Sequence, residues 1–266
     1  MAVSEEIITI FTCIVAGIGA GVGTGFAGLS AAAFIGPMLI GIVGMPAYQA
    51  TGIGLASDVL ASAVSAYTYY RAGNIDMKNA RSLLYLVLAG TLVGSVVAGG
   101  VANGALGIIS IGGSFLLGIQ QLSAFLRGKE QDIRLPLPDT PGWRRAERIV
   151  CGLWIGFVCG FMGTGGGMMM LIVLTIVMGY ELKTAVGTSV FIMTFTALFG
   201  STLHFALKGM PDLRILALCA LVTFLAAWGS ARLANRLRPL IAKGVVGALL
   251  VGVGIMMMIF KILGLS

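Results

Sequence analysis

The stretch GFMGTGGGMMM, residues 160–170, places four glycines within the five residues 163–167, inside a long uncharged run. The nearest charged residues are Arg148 and Glu181, so the run is longer than the roughly 20 residues that one spanning helix needs, and two elements must share it. Glycine costs about 1 kcal/mol relative to alanine in a helix interior. Non-helical backbone at membrane depth survives only where it is buried in protein or lines a cavity. We therefore expect a helix to stop near Gly163–Gly167.

The composition is that of an integral membrane protein. The 266 residues are 58% hydrophobic and 10% charged, with a mean hydropathy of +1.02, whereas soluble domains carry roughly 25% charged residues. Glu5 and Glu6 stand where a secretory signal has basic residues, so we expect the N-terminus to belong to the mature protein. The net charge of +7 is read as a positive-inside bias and not as a sign of a nucleic-acid partner.

Three pairs of segments, in the same order in each half of the chain, indicate a duplication. The pairs are VGTGFAG (22–28) with MGTGGGM (162–168), GMPAYQATG (44–52) with GYELKTAVG (179–187), and GNID (73–76) with GMPD (209–212). The alternative is chance similarity in a glycine-rich chain. Apolar runs give five elements per half, the second of them short in each. We predict an all-α membrane protein with an inverted-topology tandem repeat and about 8–10 transmembrane or half-membrane helices. Its parts are a first repeat (1–126), a linker (127–148) and a second repeat (149–266).

The basic residues predict the orientation. If the linker 127–148 is cytoplasmic, all of the 17 basic residues except Lys208, Arg214 and Lys261 lie on the cytoplasmic side, as the positive-inside rule requires. The N-terminus is then periplasmic. Five elements per half reverse the direction in which the second half enters the membrane.

The glycine-rich segments are candidate breaks around an anion site. Gly17, Gly19, Gly21, Gly23 and Gly25 recur at every second position, which favours an unwound segment over one close-packing face. Discontinuous helices often form the substrate sites of secondary transporters, and amide donors at a half-helix N-terminus favour anions. Glycine used only for helix packing is the alternative.

Asp58 is the one acidic residue inside a predicted span. A carboxylate at the bilayer centre costs roughly 2.5–3.5 kcal/mol on insertion scales and is a functional-site hypothesis by default. We expect it to carry a coupling proton, with a structural hydrogen bond to Ser57 or Ser62 as the alternative. Its counterpart in the second half is Met193. His204 is a candidate anion contact, or else an interfacial side chain.

A metal or cofactor site is not expected. Cys13, Cys151, Cys159 and Cys219 lack CxxC spacing. The methionine runs 168–170 and 256–258 are read as packing residues, because three consecutive side chains point in different directions on a helix.

The sequence resembles the sulfite exporter family TauE/SafE. The resemblance lies in the paired glycine-rich segments, AVGTS (185–189), HFALKGMPDLR (204–214) and YRAGNIDMK (70–78). It implies a multi-pass permease of the bacterial inner membrane for sulfite, organosulfonates or related sulfur-containing anions, driven by an ion gradient. GTGFAGLS and ATGIGLAS in the first half depart from the family pattern.

We therefore expect a non-enzymatic, proton-coupled transporter of a small anion, embedded in lipid and with homo-oligomerisation left open. A cation or metal-ion permease that uses Asp58 is the alternative; an intramembrane enzyme and a passive channel are further competitors. The expected substrate-binding residues are Gly23, Thr24, Gly25, Gly163, Thr164, Gly165, Gly166, Gly167, Thr188 and Ser189.

Overall fold

All regular secondary structure in the described part of the chain is helical, as predicted. The computed structural model describes residues 2–128, 141–162, 166–237 and 239–262, and these contain no strand. The helices are α1 Ala2–Ala27, α2 Ala32–Gly41, α3 Ala47–Arg71, α4 Met77–Gly100, α5 Asn103–Leu126, α6 Pro141–Met162, α7 Gly166–Ile172, α8 Leu182–Lys208, α9 Leu213–Ala234 and α10 Pro239–Ile262, with a π-helical turn Val173–Val177 after α7. By length and composition, five helices of the described ranges can cross a membrane: α1, α4, α5, α8 and α9.

The first helix break lies at Gly28. Helix α1 ends at Ala27, and Gly28 has a φ of +62°, in the left-handed region that glycine adopts without strain. The amide of Gly28 donates to the carbonyl of Thr24 at 3.0 Å, and the amide of Leu29 donates to Gly23 at 3.2 Å. These bonds satisfy carbonyls that the end of a helix leaves unpaired. The short helix α2 follows and has 10 residues.

The second break lies where the sequence predicted it. A Cβ on Gly166 would lie 2.7 Å from the Cβ of Cys159. Gly166 follows Cys159 by seven residues, which in a continuous helix would place the two about 10.5 Å apart along the axis. Because they are in contact instead, α7 does not continue α6. Residues 163–165 lie outside the described part of the chain. The predicted short second element of each half is confirmed.

The alternating glycines of α1 do not unwind the helix, so this expectation was wrong. Gly17, Gly21 and Gly25 lie on one face of α1 and pack against α9, where a Cβ on Gly21 would lie 2.5 Å from the carbonyl oxygen of Thr223. Gly19 and Gly23 face the ring of Phe34 in α2. The glycines therefore form two sets, each spaced by four residues, and each set packs against a different neighbouring helix.

The predicted linker 127–148 stays a prediction, and its last part is helical. Helix α6 already begins at Pro141, so residues 141–148 are helical. Residues 129–140 lie outside the described ranges.

Corresponding helices of the two halves run antiparallel where they touch. In the α3–α8 pair, Gly52 lies beside Phe205 and Gly187 lies beside Tyr69. In the α5–α10 pair, Gly118 contacts Leu250 and Gly244 contacts Phe125. An inverted repeat has this property; the repeat itself stays a prediction.

Candidate functional site

The two helix breaks meet at the centre of the molecule. A Cβ on Gly167, in the first turn of α7, would overlap the carbonyl oxygen of Gly28 and lie 3.0 Å from the amide nitrogen of Ser30. The same position faces the sulfur of Met193, at 2.7 Å from such a Cβ. Only glycine leaves room for this approach, and it brings non-helical backbone of the first half against the start of α7 in the second.

Asp58 of α3 faces the first break. Its side chain is 1% exposed, and it accepts hydrogen bonds from the hydroxyl of Ser30 and the backbone amide of Ala31. Ala31 precedes Ala32, the first residue of α2, so the carboxyl group lies at the N-terminus of this half-helix, where the helix dipole favours negative charge. No described residue forms a salt bridge with Asp58.

Thr24 permits Asp58 to be either charged or neutral. The hydroxyl oxygen of Thr24 lies 3.5 Å from Oδ1 of Asp58 and 3.0 Å from the carbonyl oxygen of Ala20. A threonine hydroxyl has one proton and two acceptor lone pairs. It donates to a charged Asp58, or it donates to Ala20 and accepts a hydrogen bond from a protonated Asp58.

Ser189 of α8 contacts both breaks. Its hydroxyl lies 3.5 Å from the carbonyl oxygens of Gly28 and Gly167, and 3.6 Å from the sulfur of Met193. It is fully buried. Among the hydroxyls predicted for the site, Thr24 and Ser189 therefore line it, together with Ser30, which the sequence prediction missed.

Thr188, Gly23 and Gly25 have other roles in the described structure. The hydroxyl of Thr188 accepts a hydrogen bond from the amide of Asp76 at 3.1 Å, and so serves the start of α4. Gly23 and Gly25 lie inside α1, where their amides belong to the helix. Gly163, Thr164 and Gly165 lie outside the described residues.

His204 is buried and caps a helix end, so the interfacial placement was wrong. The side chain is 1% exposed, and its ring stacks on Tyr48 with centroids 4.0 Å apart. Nε2 lies 3.1 Å from the carbonyl oxygen of Gly160, and Nδ1 lies 3.3 Å from that of Tyr48. Gly160 is in the last turn of α6, whose carbonyls lack helical partners.

Tyr69 plays the same part in the first half. Its hydroxyl donates to the carbonyl of Gly25, in the last turn of α1, at 3.2 Å. Gly25 and Gly160 begin the segments GFAG (25–28) and GFMG (160–163). Each of these glycines therefore begins a GF dipeptide, and the pairing of residues 22–28 with 162–168 stays a prediction.

A loop cluster outside the spans fixes the entry to α4. Asp76 caps α4 and accepts hydrogen bonds from the hydroxyl of Tyr180 at 2.6 Å and from the amides of Lys78 and Asn79. Partial burial acts to raise the pKa of Asp76, but these hydrogen bonds outweigh it and hold the pKa below its ordinary value. Burial raises the pKa of Tyr180. The cluster joins the loop before α4 to the loop before α8.

Comparison with known proteins identifies the protein family to which this chain belongs. The model of the family "Sulfite exporter TauE/SafE" matches residues 13–257. The chain is 24% identical over 226 residues to the "Probable membrane transporter protein YdhB" of Bacillus subtilis (strain 168), covering 85% of this chain and 91% of that protein. No solved structure gives a significant match. The chain belongs to the TauE/SafE family, which is a family of membrane transporters and not an enzyme class, and it is a multi-pass membrane transporter.

Proposed function

We propose that this chain is a proton-coupled secondary transporter of sulfite, an organosulfonate or a related small sulfur-containing anion. The observation that carries the proposal is the meeting of the two breaks, Gly28–Ser30 and Gly167, directly beside Asp58. The transported anion binds here, at the first turn of α2. The antiparallel pairs α3–α8 and α5–α10 support two inverted repeats that rock around this point.

The donors at this point suit an anion. The amide of Ala31 and the hydroxyl of Ser30 already bind one negative group, the carboxyl of Asp58. Amides at a helix N-terminus and nearby hydroxyls bind the oxygens of sulfite or sulfonate equally well. Ser189, between the breaks, supplies a further hydroxyl.

Asp58 couples the anion to a proton. Two unit negative charges about 4 Å apart repel by about 4 kcal/mol at an effective dielectric of 20. Binding of the anion therefore favours the protonated form of Asp58, and protonation favours the anion. Proton and anion then cross the membrane together, in the same direction.

A cation permease fits Asp58 less well. Its carboxyl oxygens already accept hydrogen bonds from Ser30, Ala31 and Thr24, and such donors compete with a cation for the same lone pairs. The carboxyl group of Asp58 also lies at the N-terminus of α2, where the helix dipole favours an anion and disfavours a cation.

The orientation is part of the proposal. With the linker in the cytoplasm, the N-terminus is periplasmic and the protein lies in a bacterial inner membrane. Helix α3 then begins at the periplasmic side and ends at Arg71 on the cytoplasmic side.

Flux through purified protein in liposomes tests the proposal. Sulfite, sulfate, thiosulfate and a small sulfonate are offered with and without an imposed pH gradient. At least one sulfur anion should accumulate when the proton gradient points the same way, and Asp58→Asn should abolish this response. Glu181→Gln is the matched control, since Glu181 is exposed and makes no capping hydrogen bond at α8.

Two outcomes would overturn the proposal. Anion flux that ignores the pH gradient would contradict coupling through Asp58. Cation uptake without any anion flux, lost in Asp58→Asn, would instead establish the cation permease.

A further inference from the structure

One face of α3 carries a buried polar stripe. Thr51, Asp58, Ser62, Ser65 and Tyr69 follow one another by seven, four, three and four residues, which aligns them along one side of a helix. All five are 2% exposed or less. Asp58 lies near the middle of this stripe.

Two hydroxyls of the stripe have no partner among the described residues: those of Thr51 and Ser65. A buried helical hydroxyl normally bonds the carbonyl four residues earlier, as Thr12, Thr91 and Thr223 do here. Leaving such a group unsatisfied costs about 1–3 kcal/mol. Each hydroxyl therefore lacks a partner in the described part of the protein, and water is the ordinary partner of such a buried group.

The two hydroxyls flank Asp58 symmetrically. Each is seven residues away, or about 10.5 Å along the helix. Thr51 lies in the second turn of α3, close to Tyr48 and to His204 of α8. Ser65 lies toward the other end, one turn before Tyr69.

We propose that Thr51 and Ser65 mark two hydrated branches through which protons reach Asp58 from opposite faces of the membrane. This rests on the proposed function, in which Asp58 carries the coupling proton. A proton hops along waters bonded to one hydroxyl and is taken up by the carboxylate. The proton that Asp58 later releases leaves along the other branch, so that only O–H bonds form and break.

Cysteine accessibility tests the two branches. Thr51→Cys and Ser65→Cys are treated with a membrane-impermeant thiol reagent in intact cells and in inverted vesicles, and labelling is counted above that of the parent chain with its four free cysteines. Each variant should react from one face only, and the two faces should be opposite. Ile53→Cys is the control: Ile53 is fully buried in an apolar cluster, away from the stripe, and should stay unlabelled.

Labelling of neither variant, of both from one face, or of Ile53→Cys to the same extent would overturn the proposal. The result does not depend on which ion is transported. If both branches label but flux ignores the pH gradient, the hydrated path stands and the proposed coupling fails. If coupled flux is found without labelling, the coupling stands and the path fails.

A second measurement uses Thr51→Val, which keeps the shape of the side chain and removes the hydroxyl. Because that hydroxyl has no partner among the described residues, its removal should not destabilise the fold. Proton-driven anion uptake should drop to the rate seen without a gradient, whereas anion exchange at equal pH should stay unchanged. An equal loss of both rates, or unchanged proton-driven uptake, would contradict the branch at Thr51.

Discussion

Gly167→Ala perturbs the point where the two breaks touch. The new Cβ would overlap the carbonyl oxygen of Gly28 and lie 2.7 Å from the sulfur of Met193 and 3.0 Å from the amide nitrogen of Ser30. Carbon contacts are favourable near 3.5–4.0 Å, so the breaks must separate by about 1 Å or more to relieve the overlap with Gly28. Overpacking of this kind costs about 1–3 kcal/mol.

The penalty falls on the arrangement in which the breaks are closed around the site. If transport passes through that arrangement, a cost of about 1–3 kcal/mol lowers its population, and hence the flux, about 5- to 150-fold. The assay is initial anion flux in liposomes at matched protein content, together with thermal unfolding in detergent. Gly229→Ala is the control, since no atom lies within 4 Å of a Cβ there and α9 gains helix propensity. Parental flux and parental unfolding temperature in Gly167→Ala would refute the closed site.

Three further predictions concern single side chains. Tyr180→Phe should cost about 0.5–1.5 kcal/mol of stability, because the hydrogen bond to Asp76 is partly exposed and solvent screens it. The folded pKa of Asp76 lies below its unfolded value, so this stabilisation is present above about pH 4 and disappears as the pH falls through the folded pKa. Stability curves of the two proteins that stay apart in acid would contradict it. Ser189→Ala should raise the anion concentration at half-maximal flux while leaving the free energy of unfolding within about 1 kcal/mol of the parent. An unchanged concentration dependence would remove Ser189 from the site. His204→Tyr should retain flux better than His204→Leu, because a tyrosine hydroxyl caps the end of the first helix in the other half; equal loss in both variants would show that the imidazole does more than cap Gly160.

The sequence predicted the features that follow from composition and from polar breaks. The low content of charged residues predicted a membrane protein. Apolar runs and the glycine-rich stretches between them predicted the two short elements and the helix end before Gly166. Asp58 stood out because a carboxyl group in an apolar helix requires a reason.

The prediction failed where tertiary contacts decide between equal local patterns. Glycines at every second position can unwind a helix or form two interleaved packing faces, and only the neighbours α9 and Phe34 distinguish the two. Thr188 and Ser189 are adjacent, and which of them faces the breaks depends on how α8 is rotated, about 100° per residue. The burial of His204 could not be predicted, because its partners, the carbonyls of Gly160 and Tyr48, are distant in the chain.

Proton movement driven by the anion is the direct test of coupling through Asp58. Liposomes that contain the purified protein and a trapped pH indicator receive an inward sulfite or sulfonate gradient, with no imposed pH difference and with the membrane potential clamped. Coupling through Asp58 predicts acidification of the liposome interior by the parent chain and by Glu181→Gln, and none by Asp58→Asn. Anion entry without acidification in the parent chain, or equal acidification in Asp58→Asn, would contradict it.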